Sequence, residues 1–462
     1  MSDFDFDVAI IGGGSGGYAA ARTAVAGGLR TVVIEGSREL GGLCILRGCM
    51  PTKALLYAAE VRHLARHGAT WGLTGATPGF DWAAVQARKD YLIRDFADYR
   101  VKQLTDGRFQ LRRATARFTD PHTVALSDGG TLSARHFVLG TGSVVSLPSL
   151  PALAEVGLLT SDDVLALPRL PKSMIVLGGG IVAVEFAQLL ARFGVAVTLL
   201  QRSEHLLRDF DPDAATVVEE VFRREGMQLF TGTRLIGARR EGITKVVAFE
   251  HGGKTVEARG DAILLAQGRS PNTAGLGLEA AGVATKAGRI VTNPQMQTSA
   301  PHIYAAGDCT GPYEVVHLAI QQGEVAVHNI LNPERPRAMD YRLLLSVVFT
   351  DPQVATVGLT EKAARASGVA FETASYPFND HGKSLIMEAK DGFVKLLADP
   401  RTGEILGGAC VGPLGGELIH EVVMALAKRM TVREFAAVPH YHPTLAEIWT
   451  YPAEELAERV GP

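Results

Sequence analysis

Two cysteines carry the clearest chemistry in this sequence. Cys44 and Cys49 are two of only four cysteines in 462 residues, and both stand in the glycine-rich segment 41–53. A chain that is poor in cysteine and lacks a disulfide-scaffold composition favours redox catalysis over structural cross-linking for such a pair. The alternatives are two buried free cysteines or half of a zinc site, but zinc requires further ligands and the neighbouring sequence offers none.

A disulfide between these cysteines requires an irregular backbone. Five steps along a regular helix cover about 7.5 Å, whereas bridged Cα atoms stand about 4.4–6.8 Å apart. We therefore expect a distorted helix start, which Gly48 and Pro51 permit. Strain would make the bridge easier to reduce, and a helix amino end would lower the pKa of a thiol.

Length and composition narrow the class of protein. A chain of 462 residues with 47% hydrophobic and 21% charged residues is typical of a soluble enzyme with two to four domains. A net charge of −3 gives no reason to expect nucleic acid or an anionic membrane as a partner. The acidic amino terminus lacks the features of a secretory signal, and no apolar run is long enough to cross a bilayer. We expect a cytoplasmic protein.

The elements that must position the thiols begin with a nucleotide-binding pattern. Residues 8–11 form a short apolar run, predicted as a buried parallel strand, and Gly12, Gly14 and Gly17 follow it as G-x-G-x-x-G. These glycines allow a tight turn, close approach of a pyrophosphate, and close packing of helix on strand. The phosphates would lie on the exposed amides of the helix start.

The sequence after the glycines completes the unit. Residues 18–27 predict a helix, residues 29–34 predict a second strand, and Glu35 ends that strand. An acidic residue at this distance is placed to hold the ribose hydroxyls of an adenosine. Strand, glycine turn, helix, strand and acid in sequence therefore predict a dinucleotide site.

The same pattern then returns. Residues 174–177 predict a strand, and Gly178, Gly180 and Ala183 follow it as G-x-G-x-x-A. A predicted helix at 184–193 and a predicted strand at 195–200 complete this second unit. Two such units in one chain imply two dinucleotides, which favours electron transfer between cofactors.

The second unit lacks the acid of the first. Its second strand ends in Gln201, followed by Arg202 and, six residues on, Arg208. A carboxylate would repel a 2′-phosphate, whereas arginine pairs with it. The first unit is thus predicted to bind a nucleotide without the extra phosphate and the second to bind NADPH, although the two arginines could also be solvated surface residues.

The rest of the chain divides by composition. Residues 54–105 predict helix, 107–147 predict short strands ending in a turn that contains Thr141 and Gly142, and prolines mark a crossing near 148–171. Gly268 lies in a turn-rich exit from the second unit, and an α+β segment begins near residue 340. The predicted domains are 1–150, 151–270, 271–340 and 341–462.

In this order, the motifs resemble those of the flavin-dependent pyridine nucleotide–disulfide oxidoreductase family, the group of glutathione reductase, dihydrolipoamide dehydrogenase and mercuric reductase. The resemblance runs end to end, through both dinucleotide units, C-x4-C, the turn at 306–308 and the terminal His-Pro-Thr-x-x-Glu. It implies an α/β fold with two Rossmann-like dinucleotide-binding domains and a C-terminal α+β dimerisation domain. FAD would occupy domains 1–150 and 271–340, and NAD(P) would occupy 151–270.

The resemblance also implies a role for each motif residue. Cys49 would be the thiolate against the flavin, and Cys44 the thiol that attacks substrate. His442, oriented by Glu447, would be the acid/base, supplied by the other subunit of a homodimer. The FAD ligands would be Gly12, Gly14, Gly17, Glu35, Thr141, Gly142 and Asp308.

The remaining implied roles concern charge and the second nucleotide. Lys53 and Glu185 would form an ion pair near the flavin ring. NADPH, or else NADH, would be bound through Gly178, Gly180, Ala183, Arg202, Arg208 and Gly268. The resemblance implies no metal cofactor.

The expected activity is FAD-dependent reduction of a small disulfide by NADPH. For a glutathione-like substrate, Ser15, Arg22 and Tyr99 fall at contact positions, but Glu324 replaces an arginine and Ile181 replaces a gating tyrosine. The terminal motif is close to that of dihydrolipoamide dehydrogenase, whose usual NAD preference disagrees with the two arginines.

Other functions stay open. A mercuric reductase would be expected to carry a C-terminal cysteine pair, whereas Cys309 and Cys410 are isolated. A flavin-bound quinone or metal-ion reductase is an alternative, as is a structural subunit of a dehydrogenase complex. The substitution of residues 45–47 (Ile-Leu-Arg) for the family's Asn-containing segment has no assigned effect.

Overall fold

A computed structural model describes residues 4–75 and 78–461. The chain divides into two compact units. Unit 1 consists of Met1–Ala54, Ala84–Leu147 and Gly268–Met339, and unit 2 consists of Leu55–Ala83, Pro148–Gln267 and Asp340–Pro462. The two predicted FAD-binding segments fall mainly in unit 1. The boundaries of the four predicted domains stay a prediction.

The helices of the two units, in chain order, are α1 (Ser15–Ala26), α2 (Gly42–Arg47), α3 (Cys49–Arg66), α4 (Trp82–Thr105), α5 (Pro151–Glu155), α6 (Ser161–Leu165), α7 (Ile181–Arg192), α8 (Pro212–Arg224), α9 (Val316–Leu331), α10 (Glu361–Ser367), α11 (Gly382–Ile386), α12 (Gly415–Ala427), α13 (Val432–Ala436) and α14 (Thr450–Arg459).

The strands follow the same order. They are β1 (Phe6–Ile11), β2 (Thr31–Ile34), β3 (Gln110–Arg112), β4 (Ala116–Asp120), β5 (Thr123–Leu126), β6 (Thr131–Leu139), β7 (Ser143–Val145), β8 (Ser173–Leu177), β9 (Ala196–Leu200), β10 (Gln228–Phe230), β11 (Arg234–Glu241), β12 (Thr244–His251), β13 (Lys254–Gly260), β14 (Ala262–Leu265), β15 (Arg269–Pro271), β16 (Thr285–Lys286), β17 (Arg289–Ile290), β18 (Ile303–Ala305), β19 (Leu345–Val348), β20 (Gln353–Gly358), β21 (Glu372–Pro377), β22 (Phe393–Ala398) and β23 (Ile405–Gly412).

Unit 1 is built on a sheet whose centre is parallel. Strand β1 lies between β2 and β6, with Ile11 beside Ile34 on one side and Leu139 on the other. The apolar stretch of β1 is buried, as expected for a central parallel strand covered on both faces. Strand β18 pairs with β6, and the amino end of β6 continues into an antiparallel sheet with β5 and β4.

Helix α1, which carries the glycine turn at its start, packs closely on α9. A Cβ atom placed on Gly323 of α9 would stand 2.3 Å from the carbonyl oxygen of Gly16, and one on Gly16 would stand 3.0 Å from that of Ala319. Both distances are shorter than ordinary van der Waals contact. Glycine at these positions therefore lets the two backbones approach and fixes the angle at which α1 meets the sheet.

Unit 2 contains a second parallel sheet and a separate antiparallel one. The parallel sheet has the order β10-β9-β8-β14. Between β10 and β14 in sequence, β11, β12 and β13 form a separate antiparallel sheet. The C-terminal sheet has the order β19-β20-β23-β22-β21. Its core, with Phe378, Val422 and Trp449 fully buried, includes side chains from α12 and the last turns of the chain. These features confirm the predicted α/β class with a C-terminal α+β domain.

Ion pairs within unit 2 join residues 148–267, the nucleotide-type half, to the segment that begins at residue 340, the C-terminal half. The Lys395 ammonium, almost fully buried, lies 3.2 Å from Asp211, 2.6 Å from Asp213 and 2.9 Å from Glu361. Burial alone would lower the pKa of Lys395, but its hydrogen bonds to Asp213 and Glu361 and the neighbouring negative charges raise it. Lys395 and Asp211 are buried, whereas Glu361 and Asp213 are partly exposed, so the loss of one partner from the buried Lys395–Asp211 pair would be strongly destabilising.

The prediction of continuous helix over residues 54–105 is wrong in its middle. Helix α3 ends at Arg66, and α4 does not begin until Trp82. Gly72 has a φ of 74° and Gly75 a φ of 145°, conformations that a helix does not contain. The interleaved charged and apolar residues on either side masked this break.

Replacing Gly323 with alanine tests the helix contact. We expect Gly323→Ala to destabilise the protein by about 1–3 kcal/mol, since the new methyl group must push α9 away from α1. Chemical denaturation monitored by circular dichroism measures the change. Gln321→Ala, on an exposed position of the same helix, should change stability by less than about 0.5 kcal/mol. Equal effects of the two variants would contradict the close-contact argument.

Candidate active site

The glycine turn of unit 1 has the geometry of a phosphate cradle. Gly12 has a φ of 104°, and a Cβ there would stand 2.3 Å from the carbonyl oxygen of Gly140. A Cβ on Gly17 would stand 1.8 Å from the carbonyl oxygen of Gly12. A Cβ on Gly14, in contrast, meets nothing within 4 Å. Gly12 and Gly17 thus shape the turn, and Gly14 leaves open space at the amino end of α1. These residues fit the pyrophosphate of a dinucleotide.

Glu35 lies against this turn. Its Oε2 accepts a hydrogen bond of 2.7 Å from the backbone N–H of Gly13, and its Oε1 accepts from the N–H and hydroxyl of Ser37 at 2.7 and 2.5 Å. The side chain is buried at the end of β2. The carboxylate is therefore fixed beside the glycines, where the prediction requires an acceptor for ribose hydroxyls.

Asp308 belongs to a polar group that the sequence motifs revealed only in part. Its Oδ2 accepts a hydrogen bond of 2.7 Å from the Ser143 hydroxyl, which itself accepts one of 2.7 Å from Arg269 Nε. The carbonyl of Thr141 accepts a hydrogen bond of 3.3 Å from the Asn272 side chain, and Gly142 has a φ of 71°. The structure therefore adds Ser143 and Arg269 to the predicted flavin-binding segment, because pairing of β7 with β15 brings them together.

The cysteine segment begins directly on the glycine turn. Gly42 has a φ of 77°, and a Cβ there would stand 2.8 Å from Gly14 Cα. Cys44 lies on α2, the helix ends before Gly48, and Cys49 is the first residue of α3. The backbone at Gly48 (φ −125°, ψ −114°) is far from helical. This interruption agrees with the predicted distortion.

The two thiols are unbridged in this structure and interact with each other. Cys44 and Cys49 are both half-buried. A hydrogen bond with Cys49, followed by burial and by the charge of Cys49, raises the pKa of Cys44, while the charge of Lys53 opposes the change. The prediction of a lowered thiol pKa is therefore wrong for Cys44 in the reduced state.

Aromatic and basic side chains surround this segment. The guanidinium of Arg100 lies 4.3 Å from the ring centre of Tyr18, whose hydroxyl accepts a hydrogen bond of 3.2 Å from Arg108. Burial lowers the pKa of Arg100, and the charge of Cys44 is among the groups that act on it. Arg22 forms an ion pair with Glu324. Nothing in the motifs pointed to Arg100, because it lies on α4 and far from them in sequence.

The second glycine turn repeats the first with one change of charge. Gly178 has a φ of 121°, and a Cβ there would stand 2.2 Å from the carbonyl oxygen of Ala266, whereas a Cβ on Gly180 meets nothing within 4 Å. Ala183 is fully buried on α7. A Cβ on Gly179 would stand 2.9 Å from the Gln201 side chain. A neutral amide thus lies where Glu35 lies in unit 1.

The predicted phosphate-binding arginines lie beyond this amide. Arg202 is exposed, and the side chain of Arg208 is 58% exposed, with its Nε 3.6 Å from Asp209. Both could reach a solvent-facing phosphate. Gly268 belongs to unit 1, has a φ of 111°, and its carbonyl accepts a hydrogen bond of 3.1 Å from Ser146. Its assignment to the second nucleotide stays a prediction.

The residues of the predicted ion pair lie on different helices. Lys53 lies one turn after Cys49 on α3. Glu185 is buried on α7, and its Oε1 accepts a hydrogen bond of 2.9 Å from the N–H of Phe349. Both positions agree with interior roles. The pairing of Lys53 with Glu185 stays a prediction.

His442 and Glu447 are brought together, as the family resemblance implied. Nδ1 of His442 lies 2.9 Å from Oε2 and 3.2 Å from Oε1 of Glu447. The His442 side chain is 80% exposed, whereas that of Glu447 is 13% exposed. His440 instead pairs with Glu421 at 2.9 Å, which separates it from this dyad. An outward imidazole backed by a fixed carboxylate can exchange a proton with a bound substrate.

Comparison with known proteins places this arrangement in a family. Residues 6–323 match the pyridine nucleotide-disulphide oxidoreductase family, and residues 344–453 match the dimerisation domain of the same name. The chain belongs to the pyridine nucleotide-disulphide oxidoreductase family. It is an FAD-dependent oxidoreductase that acts on sulfur groups and uses a pyridine nucleotide.

Similar chains carry more than one name. A dihydrolipoyl dehydrogenase from Thermus scotoductus is 36% identical over 98% of this chain and 97% of its own length. A mercuric reductase from Streptomyces lividans is also 36% identical, over 99% of this chain and 97% of its own. Among solved structures, LpdA from Mycobacterium tuberculosis has a TM-score of 0.87 at 30% identity, covering 97% of this chain and 99% of its own.

A third type of relative is the HOCl-induced flavoprotein disulfide reductase RclA from Escherichia coli. It has a TM-score of 0.86 at 26% identity and covers 97% of this chain and 99% of its own. The similarity therefore extends across the whole chain without selecting one substrate. Within the residues that the structure describes, no helix is long and apolar enough to cross a membrane.

Removing the dyad tests its role. We expect His442→Ala to lower kcat for disulfide reduction by about 10²–10⁴-fold, because the released thiolate loses its proton donor. Glu447→Gln should cause a smaller loss, since the imidazole stays in place. Steady-state oxidation of NADPH measures both. His440→Gln is the matched control, and a loss there as large as in His442→Ala would contradict the assignment.

Proposed function

We propose that this enzyme is an NADPH:disulfide oxidoreductase, which passes electrons through FAD and the Cys44–Cys49 pair to a small disulfide. One observation carries the proposal: the cysteine segment begins in backbone contact with the glycine turn, at Gly42 and Gly14. A dithiol in this position can exchange electrons with a flavin whose pyrophosphate lies on that turn. The bound FAD would supply two-electron transfer between the nicotinamide and the protein disulfide.

The chain's own residues account for the steps at sulfur. Cys44 passes its proton to His442 and, as a thiolate, attacks one sulfur of the substrate, forms a mixed disulfide and releases the other sulfur as a thiolate. His442 returns the proton to this leaving group, and Glu447 fixes the tautomer of His442. Cys49, as a thiolate, then attacks the sulfur of Cys44 and restores the Cys44–Cys49 bond, and the second half of the substrate leaves as a thiolate that takes a proton from solvent.

The proton donor is best supplied by a second copy of the chain. His442 is largely exposed and lies within the segment that matches the dimerisation domain. In the chain it comes after the last strand of the C-terminal sheet. We therefore propose a homodimer in which each subunit gives His442 to the cysteines of its partner.

The preference for NADPH rests on charge. Gln201 replaces the acid found in unit 1, so the second turn lacks a carboxylate that would repel a 2′-phosphate. Arg202 and Arg208 follow it with exposed guanidinium groups that can pair with that phosphate.

Neutralising these arginines should affect one nucleotide only. We expect the double variant Arg202→Leu/Arg208→Leu to raise KM for NADPH by about tenfold or more, since charge-assisted hydrogen bonds to the phosphate are lost. KM for NADH should stay within about twofold. Arg234→Gln, an exposed arginine on β11 of the same unit, is the control. An equal rise for both nucleotides would contradict the proposal.

For the substrate, we propose a small disulfide of the lipoamide type over oxidised glutathione. Glu324 pairs with Arg22 and so neutralises a cation that a glutathione carboxylate would need. Similar chains include a dihydrolipoyl dehydrogenase. The mercuric-reductase alternative is less well supported, because Cys309 and Cys410 are fully buried. Rates with lipoamide, oxidised glutathione and Hg(II) would rank the three.

Replacing Cys44 with serine separates sulfur chemistry from direct flavin oxidation. We expect Cys44→Ser to abolish disulfide reduction, because the thiol that attacks the substrate is gone, while quinone reduction by the flavin continues. Parallel NADPH oxidation assays with a disulfide and a quinone measure this. Cys410→Ser, in the buried core of the C-terminal sheet, should retain both activities. If Cys44→Ser retained both disulfide and quinone reduction, the result would favour a quinone reductase instead.

A further inference from the structure

A second imidazole, unrelated to any sequence motif, faces the dyad glutamate from the interior. The His381 side chain is 0% exposed, and its Nε2 lies 3.4 Å from Glu447 Oε1. Its other ring nitrogen, Nδ1, lies 2.8 Å from the hydroxyl oxygen of Ser384, which is also fully buried. Glu447 therefore lies between two imidazoles, with His442 on its solvent side.

The contacts determine which nitrogen of His381 carries hydrogen. A carboxylate can only accept hydrogen bonds, whereas a hydroxyl can donate one. We assign the hydrogen to Nε2, which faces Glu447 Oε1 at 3.4 Å without completing a hydrogen bond, and the Ser384 hydroxyl then donates to Nδ1. Burial lowers the pKa of His381, and the charge of Glu447 opposes the change.

The surroundings hold the ring in this orientation. His381 precedes α11, and the rings of Phe378 and Tyr451 stand edge-on to it, each 6.5 Å away between ring centres. The ionisable groups that act on it are Glu447 and His442. Of its other neighbours, Tyr451 stacks on Tyr376, whose hydroxyl donates a hydrogen bond of 3.0 Å to Asp380.

We propose that His381 is a positioning residue for the proton-transfer pair: its Nε2–H, 3.4 Å from Oε1 of Glu447, attracts that oxygen, so that Oε2 is presented to Nδ1 of His442. This inference rests on the proposed function and deepens it, because it identifies what orients the group that orients the acid/base. Ser384 belongs to the same arrangement, since its hydroxyl selects the tautomer that can donate to Glu447.

Two consequences follow from the second donor. A glutamate side chain has several rotatable bonds, and an N–H on one oxygen restricts them, so His442 meets a carboxylate of fixed direction. The same N–H also withdraws negative charge from the carboxylate. The imidazolium form of His442 is then stabilised less than it would be by a glutamate without this contact. Loss of His381 should therefore shift the pH profile of disulfide turnover to higher pH.

The test compares four variants for disulfide turnover across pH. His381→Phe keeps the ring volume but removes the donor. We expect it to lower kcat about threefold to tenfold and to raise the pKa read from kcat/KM by about half a unit to one unit. His381→Gln retains an N–H near the position of Nε2 and should restore most of both values. Ser384→Ala should shift the pKa in the same direction as His381→Phe. His440→Gln, which replaces the buried imidazole paired with Glu421, should leave it unchanged.

A purely structural role gives a different pattern. In that case His381→Phe and His381→Gln would lower the melting temperature alike and leave the pKa of His442 in place, which would overturn the proposal. Quinone reduction by the flavin in the same preparations shows whether the protein is folded and loaded. It should be equal in all four variants, because the substituted side chains belong to unit 2, whereas the glycine turn proposed to hold the flavin belongs to unit 1.

A second readout does not depend on disulfide turnover. The rate at which diethyl pyrocarbonate modifies His442, followed by peptide mass spectrometry at several pH values, reports the pKa of that exposed imidazole directly. If the pH dependence of His442 modification shifts in His381→Phe while the wild type reduces no disulfide, the positioning role is supported and the proposed reaction is refuted. If the wild type reduces disulfides and no shift occurs, the proposed reaction is supported and the positioning role is refuted.

Discussion

Close approach of backbone to backbone at glycine is the constraint on which the rest of this structure depends. The carbonyl of Gly12 stands where a side chain on Gly17 would be, and Gly14 stands where a side chain on Gly42 would be. These contacts stack the cysteine segment on the turn that starts α1. Any side chain at Gly42 would push the thiols away from that turn. The position of the Cys44 thiol is therefore set by residues that have no functional groups.

The two glycine turns share one backbone design and differ in one charge. Both place a glycine of positive φ against a carbonyl at the end of a neighbouring strand, Gly12 in one and Gly178 in the other. The difference lies in one side chain, a carboxylate at Glu35 and an amide at Gln201. Because the turn itself supplies only N–H groups and a helix end, the proposed preference for NADPH rests on the charge at that position.

Periodicity and motif spacing were sufficient to predict the parallel strands and the glycine turns, and the family resemblance predicted the joining of His442 with Glu447. These features depend on short stretches whose geometry follows from local sequence. The break between α3 and α4 was missed because helical composition continues on both sides of Gly72 and Gly75. Arg269 and His381 were missed for another reason. Each reaches its partner through pairing of distant strands or packing of a distant turn, and no local pattern encodes that contact.

The same limit applies to the acidity of the thiols. Sequence alone places Cys44 near a helix start, which argues for a lower pKa. It does not reveal that Cys49 hydrogen bonds to it and raises that pKa instead. The contact between the two sulfurs is a property of the folded loop.

Lys395 has a consequence for how this chain can be divided. Its ammonium belongs to the C-terminal sheet, but two of its three carboxylate partners, Asp211 and Asp213, belong to the nucleotide-type half. A fragment cut before residue 340 would keep these two acids and lose the cation that compensates them. The mutual repulsion left behind would loosen the start of α8. The second nucleotide-binding half should therefore be a poor autonomous folding unit, even though its parallel sheet is complete.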